Sequence, residues 1–537
     1  MRLPIYVASA LTLLVCSAAG AQTPVRPAAP QVTVGADIKQ LIFDWSPVPL
    51  ATKYQVLVNA DGHSGYVPLG APLPATQTSA TIGIAVHLQR WANALYIVSA
   101  CNVAGCHDSA PIFPRDQMLD AIGYFKASNS DPGDQFGYAL ALSNDGGTLA
   151  VTSQNEASIA TGINGNQSDN SSPNSGAVFV YRRISRHWRQ EAYIKGATLA
   201  TWFGWSFAPY PQTLSLNSDG SLLVIAEPLH DTNGVGTSGE VGIYRRASNG
   251  SWSRSAALHA PDITPAGYFG QSVDVSLDGL TLRVTALQPR NGGVGVGTTY
   301  LYKRTGNAWA LTNTFAPYYG GDHCEYVRMS SDGNTLVSNC AKPDGTFRVV
   351  TLKHSGTNWV HAPDISLPDQ STQPLAMNSA GTLLALVDNS AVGVYRWSGT
   401  AWIRESLIPA PNLTTDIFVG FGQAMAFDKA GNTLAIGDYN SPAAGAGVMT
   451  AATQSNAHDG AVFVYGHTSS VSKPWVLRSV VKAPNPANQD VFGIALALCG
   501  TGRTLAVGAY RESSAARGID GNRTNAGAPQ SGAVYLY

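Results

Sequence analysis

The chain has 537 residues, and only 12% of them are charged, 33 Lys or Arg against 34 Asp or Glu. A net charge of −1 gives no electrostatic basis for binding nucleic acid or an acidic membrane surface. A mean hydropathy of −0.02 fits neither a membrane-embedded nor a disordered chain, and 55 glycines point to many strands and turns.

In chain order, Arg2 precedes an apolar run from Ile5 to Val15, which ends in Ala19-Gly20-Ala21 before Gln22. This is the pattern of a secretory signal peptide over residues 1–21, and the run is too short to be a permanent membrane helix. Cys16 could instead carry a lipid, although the residue before such a cysteine is normally small and Val15 is not. No later run of about 18 apolar residues occurs. The mature chain is therefore expected to be secreted, periplasmic or at the cell surface, without membrane insertion. Residues 22–30, with three prolines, read as an extended linker.

Export permits disulfides. Cys101 and Cys106 flank the turn Asn102-Val103-Ala104-Gly105, and Cys324 and Cys340 flank Ser331-Asp332-Gly333, so each pair could close across a hairpin. Cys499 is left over and reads as a small buried side chain. Neither pair has the spacing of a zinc site.

Residues 31–115 show period-two stretches at 41–45, 54–58 and 96–100, separated by Pro and Gly, as in a small β-sandwich. The order of Trp45, Tyr54 and Tyr96-x-Val98-x-Ala100-x-Asn102-x-x-Gly105 resembles a fibronectin type III domain. The resemblance implies that these aromatic residues are core and that the module spaces or adheres, with no chemistry of its own.

Residues 116–537 repeat. A tight turn between two apolar strands recurs at Gly146, Gly220, Gly279, Gly333, Gly381, Gly431 and Gly502, at intervals of 74, 59, 54, 48, 50 and 71 residues. Asp and Gly at these turns suit hairpins. A third strand follows in each repeat, such as Gly176-Ala177-Val178 and Gly532-Ala533-Val534. Then Trp188, Trp252, Trp309, Trp359, Trp402 or Trp475 opens a fourth. The seventh repeat stops at Tyr537 without this strand, while Gly123-Tyr124-Phe125-Lys126 precedes the first and matches Ala192-Tyr193-Ile194-Lys195. An N-terminal strand completing the last unit predicts an all-β, seven-bladed β-propeller closed into a ring, preceded by the fibronectin-like sandwich.

Phe136-Gly137, Phe203-Gly204, Phe269-Gly270, Phe421-Gly422 and Phe492-Gly493, with Val507-Gly508-Ala509 and Ser531-Gly532-Ala533, resemble the FG-GAP repeats of integrin α subunits and many exported bacterial proteins. The resemblance implies the propeller and a ligand face. Repeats four and five lack the Phe-Gly pair. Blades of that family bind calcium in an acidic loop between the first two strands, but here that link is only Ser143-Asn144-Asp145-Gly146-Gly147 and its counterparts. One carboxylate cannot supply the six to eight oxygens calcium prefers. No cofactor is expected. Calcium remains an open alternative in the polar loop of Asn166, Asp169 and Asn170, echoed by Asp520 and Asn522.

The links between second and third strands are about 20 residues long in repeats one, six and seven and only a few in repeats four and five. In a ring the three long loops would form one sector. Tyr439 and Tyr510 sit at the bases of two of them and could stack on a sugar or peptide. The candidate ligand residues are Asn166, Asp169, Asn170, Tyr439, Tyr510, Asp520 and Asn522. No nucleophile-elbow, metalloprotease or phosphate-loop motif occurs, and the 11 His residues form no ligand-spaced pair. No catalytic residue is assigned. Glu156, Glu227 and Glu512 follow second strands and read as paired or solvated. The sequence therefore supports a monomeric, exported, non-enzymatic binding or adhesion protein for an extracellular glycan or protein. The alternative is a propeller enzyme of the polysaccharide lyase or glycoside hydrolase type, with catalytic residues gathered at the axis.

Overall fold

A computed structural model describes residues 24–197, 203–204, 212–290, 293–316, 322–367, 375–388, 391–411, 420–451, 453–455 and 457–537. The signal peptide expected over 1–21, with Cys16, lies outside the described residues. Among the described residues no helix is long and apolar enough to cross a membrane.

The chain divides into two compact units. The smaller takes in 43–80 and 94–113 together with the chain up to Val34. Its strands Lys53–Asn59 and Leu95–Asn102 pair antiparallel, and Gly105–Asp108 continues the sheet. Alternation places Trp45, Tyr54, Val56, Tyr96 and Val98 inside, with the Trp45 and Tyr54 rings edge to face at 5.2 Å. Cys101 and Cys106 face each other across the hairpin and are disulfide-bonded.

The larger unit contains Gly35–Ile42, Thr81–Asn93 and Pro114–Tyr537. Its repeats form antiparallel sheets of four or five strands. The first sheet comprises Phe136–Leu142, Thr148–Ser153, Ala177–Ile184 and His187–Ile194. The second comprises Leu214–Leu216, Leu222–Glu227, Glu240–Arg246 and Trp252–Leu258. The third to sixth follow in residues 272–315, 323–367, 375–409 and 421–481. The last comprises Ala495–Leu498, Leu505–Ala509, Ala533–Leu536 and, as its outer strand, Gly123–Phe125. The displaced strand pairs as expected, with Val534 opposite Phe125 and Tyr535 opposite Tyr124.

The first strand of each sheet touches the first strand of the next, and that of the last touches Phe136–Leu142, so the unit is a closed β-propeller. Closure leaves no innermost edge to pair with another chain. The Phe-Gly pairs set the spacing between sheets. Phe136 N donates to Ser531 O at 2.9 Å, and a Cβ on Gly532 would lie 2.0 Å from Phe136 O. Gly532 also has φ +81, so the position excludes a side chain on two counts. Gly239 meets Phe269 in the same way. The Phe main chain of one sheet thus docks on the Gly that opens the third strand of its neighbour, while its ring fills the gap between the two. All six repeat tryptophans lie at the start of a fourth strand.

Candidate functional site

Each long loop is anchored to the outer strand of its own sheet by the same bonds. Lys195 N donates to Gly162 O at 2.8 Å, Lys126 N to Gly518 O at 2.8 Å and Lys482 N to Gly447 O at 2.8 Å. Asn164 and Asp520 reinforce this, their side-chain oxygens accepting from Tyr193 N and Tyr124 N, each at 3.0 Å. The loops therefore cover the outer edges of sheets that would otherwise expose unpaired backbone.

Below each loop lies a buried ion pair. Lys195 Nζ donates to Glu156 Oε2 at 2.6 Å and to Ser175 Oγ at 2.6 Å, while Tyr193 OH and Asn129 Nδ2 each donate to Glu156 Oε1 at 2.8 Å. In the last sheet Lys126 Nζ donates to Glu512 Oε2 at 2.8 Å and Tyr124 OH to Glu512 Oε1 at 3.1 Å. Lys482 pairs likewise with Asp459. Burial pulls all three ammonium groups below the usual lysine range, against the opposing pull of the carboxylates. Glu156 and Glu512 are thus engaged in buried ion pairs beneath the loops.

The loop residues singled out by sequence are also engaged locally. Asp169 Oδ1 accepts from Ile159 N and Ser171 N, each at 3.0 Å, and these hydrogen bonds hold its carboxyl below the usual range. Asn166 and Asn522 close turns on Ser168 N and Thr524 N. Asn170 Nδ2 donates to Asp131 Oδ2 at 2.8 Å, and Arg517 Nη2 reaches Asp131 Oδ1 at 3.0 Å, so Asp131 ties the loop of the first sheet to that of the last.

Tyr439 and Tyr510 lie at the bases of two long loops, within electrostatic reach of each other. Both are half-buried, and the Tyr439 hydroxyl is pushed up by burial, by Asp438 and by Tyr510. Tyr510 meets Tyr138 edge to face at 5.5 Å, and the exposed Arg511 guanidinium lies 5.5 Å from the Tyr510 ring. Tyr138 enters on the first strand of the first sheet, at the end where Phe136 pairs with Ser153. Sequence reasoning missed it because it lies two residues past Phe136 rather than in a loop. Its counterparts two residues beyond the other Phe in the Phe-Gly pairs are Trp205, Gln271, Gln423 and Ile494, so an aromatic residue at this position, shared in sequence with Trp205, was the available signal.

At the axis, the first strands enclose a cavity of about 290 Å³ lined by residues such as Leu140, Leu214, Asp274, Arg328, Met425 and Leu496. Asp274 is its charged centre. It accepts from Met329 N at 3.0 Å, pairs with the fully buried Arg283, and lies 3.5 Å from Arg328 Nη1. Arg328 Nε is in turn held by Leu375 O at 3.1 Å.

No protein-family model and no curated protein matches the chain. Solved structures similar to it include the β-propeller domain of Cps50 (Swd1) from Myceliophteria thermophila, at 10% identity over 78% of this chain and 99% of that one, with a TM-score of 0.44. The Dos1 propeller is similar at 13% identity over 77% and 93%, with a TM-score of 0.42. The periplasmic gluconolactonase PpgL of Pseudomonas aeruginosa is similar at 14% identity over 81% and 98%, with a TM-score of 0.39.

Proposed function

We propose that the chain is an exported, non-enzymatic binding protein whose propeller face recognises an extracellular glycan. On this reading residues 1–21 are a cleaved signal peptide, 31–115 a fibronectin type III-like module, and 116–537 a seven-bladed FG-GAP-like propeller with one sheet per blade. The observation that carries it is the edge-to-face pair of Tyr138 and Tyr510, drawn from the first and last sheets and flanked by Arg511, with Tyr439 of the sixth sheet within electrostatic reach of Tyr510. Half-buried tyrosines offer rigid apolar faces with a polar rim, which suits the alternating CH and OH surfaces of a sugar ring. The anchored loops beside them hold the face still, which lowers the ordering cost of binding. The two disulfides fit an oxidising compartment. The axial carboxylate, neutralised by two arginines, favours binding over lyase or hydrolase chemistry.

A glycan array, probed with the full chain and with Tyr510→Ala and Tyr439→Ala, tests this. Each substitution is expected to weaken the leading glycan about tenfold, the equivalent of about 1.4 kcal/mol, without changing circular dichroism. Equal binding by wild type and both variants would remove the site. Binding only to extracellular proteins would move the ligand class, and new reducing ends or unsaturated products would make the chain an enzyme.

A further inference from the structure

The second sheet breaks the lysine pattern. The residue seven after the repeat tryptophan is Lys195 in the first sheet and Lys482 in the sixth, but His259 after Trp252 in the second. Five after the tryptophan, Tyr193 becomes Ala257, so the hydroxyl that bonds the buried carboxylate is lost as well. In place of one carboxylate and one ammonium, this sheet gathers two carboxylates and two imidazoles.

Glu227 ends the second strand and Glu240 opens the third, directly opposite each other in register. His230 follows in the tight turn after Glu227, where His230 N donates to Glu227 O at 3.1 Å. The ligand atoms of Glu227, His230 and Glu240 all lie within 4.8 Å of one another. His259 Nε2 is 2.7 Å from Glu240 Oε2. Glu227 is 1% exposed, and neither carboxylate oxygen has a hydrogen-bond partner. The cation nearest it is Arg254, whose Nη2 is 4.0 Å from Glu227 Oε1 and which also contacts Glu240. A carboxylate as buried as Glu227 needs more compensation than a guanidinium at that distance supplies.

We propose that Glu227, His230 and Glu240 bind a divalent transition-metal cation of the zinc class, with His259 orienting Glu240. Mixed imidazole and carboxylate donors suit zinc and cobalt, whereas calcium wants six to eight oxygens and takes no imidazole. A hydrogen bond from a second histidine to a ligating carboxylate is the outer-shell support such sites use. Arg254 holds the place of the cation in its absence, so it competes with metal.

The test uses the untagged full chain, freed of metal with a chelator and dialysed against Co²⁺ or Zn²⁺. One ion per chain is expected, with visible Co²⁺ absorption bands and a rise in melting temperature. Glu227→Gln and His230→Gln should each weaken binding at least about 100-fold, and His259→Gln about 10- to 100-fold. Arg254→Gln should tighten it, which a purely structural ion cluster would not do. His230 lies partly exposed in a turn, so its variant decides the matter even if Glu227→Gln fails to fold. Absence of bound Co²⁺ and Zn²⁺, unchanged affinity in His230→Gln, or equal competition by Ca²⁺ would each overturn the assignment.

Discussion

The first and fourth sheets solve one packing problem in different ways. In the first, Phe136 stands across from Ser153, five residues after the turn-closing Thr148. Its ring packs on Phe179 and Tyr181 at 5.6 and 6.2 Å, inside a continuous apolar cluster with Leu149 and Val151. In the fourth, the same register position, five after Thr335, holds the disulfide of Cys324 and Cys340. Among the described residues, Val350 completes a small buried cluster around it, beside a cavity of about 590 Å³ bordered by Phe315, Leu336, Leu352 and Trp359. Where an aromatic ring fills the gap, neighbouring sheets are held by burial. In the fourth sheet, where the ring is lost, a covalent link constrains the strands instead. The sheets with long loops add a third device, a buried lysine pair, which the fourth sheet has no loop to require.

The largest expected effect comes from breaking that third device. Lys195→Met leaves Glu156 buried with hydrogen bonds from Tyr193 and Asn129 but without its countercharge. Removing one partner of a buried pair costs about 3–5 kcal/mol. The double change Lys195→Met with Glu156→Leu should recover much of the loss, because the uncompensated charge goes too. Denaturant unfolding of the two variants checks this. A single variant as stable as wild type would mean that the pair contributes nothing and that the loop is held by its backbone bonds alone.

Cys324→Ser with Cys340→Ser should cost somewhat less, about 3 kcal/mol for a link that closes 16 residues. The loss should appear first as faster hydrogen exchange in Thr335–Ala341, since the apolar cluster there is small. The equivalent change in the first sheet has no disulfide to remove, and its core should stay protected. If exchange rises equally in both sheets, the local contrast drawn between them fails.

Much of this architecture is legible in the chain. The hairpin glycines, the repeat tryptophans and the displaced Tyr124-Phe125 strand each follow from a local pattern, and the structure pairs that strand with Val534–Leu536. Both disulfides follow from cysteines flanking a turn. What stayed hidden needs partners from distant segments. Nothing around Glu156 announces Lys195, 39 residues away, and nothing in Ile163 announces its bridge to Ile194. The loops therefore looked free in sequence, although their backbones are bonded to strand edges. Tyr138 escaped notice for the converse reason, since alternation within a strand does not say which residue reaches the rim. His230 and His259 are 29 residues apart in sequence, and only strand pairing in the second sheet brings both beside Glu240.

The smallest expected effect is a pH dependence that separates the long-loop sheets from the fourth. Burial pushes the carboxyl of Asp134 up to about 7, opposed by the hydrogen bond from Asp131 N, with Glu156 and Asp131 raising it further and Lys126 lowering it. Asp490 occupies the matching turn before Phe492 and is also pushed up to about 7 by burial, beside Glu512, Asp459 and Lys126. A carboxyl raised above its unfolded value of about 3.9 binds more protons when folded, so its contribution is complete below about pH 4 and is lost as pH rises through 7. Stability should therefore fall between pH 5 and pH 8, by on the order of 2 kcal/mol for each residue. Asp134→Asn keeps an oxygen for Asp131 N and removes the titration, so its melting temperature should vary less with pH than that of wild type. Identical pH slopes would mean that Asp134 titrates in its ordinary range. The turn of the first sheet would then be no more sensitive to pH than the fourth sheet, whose cross-link does not titrate.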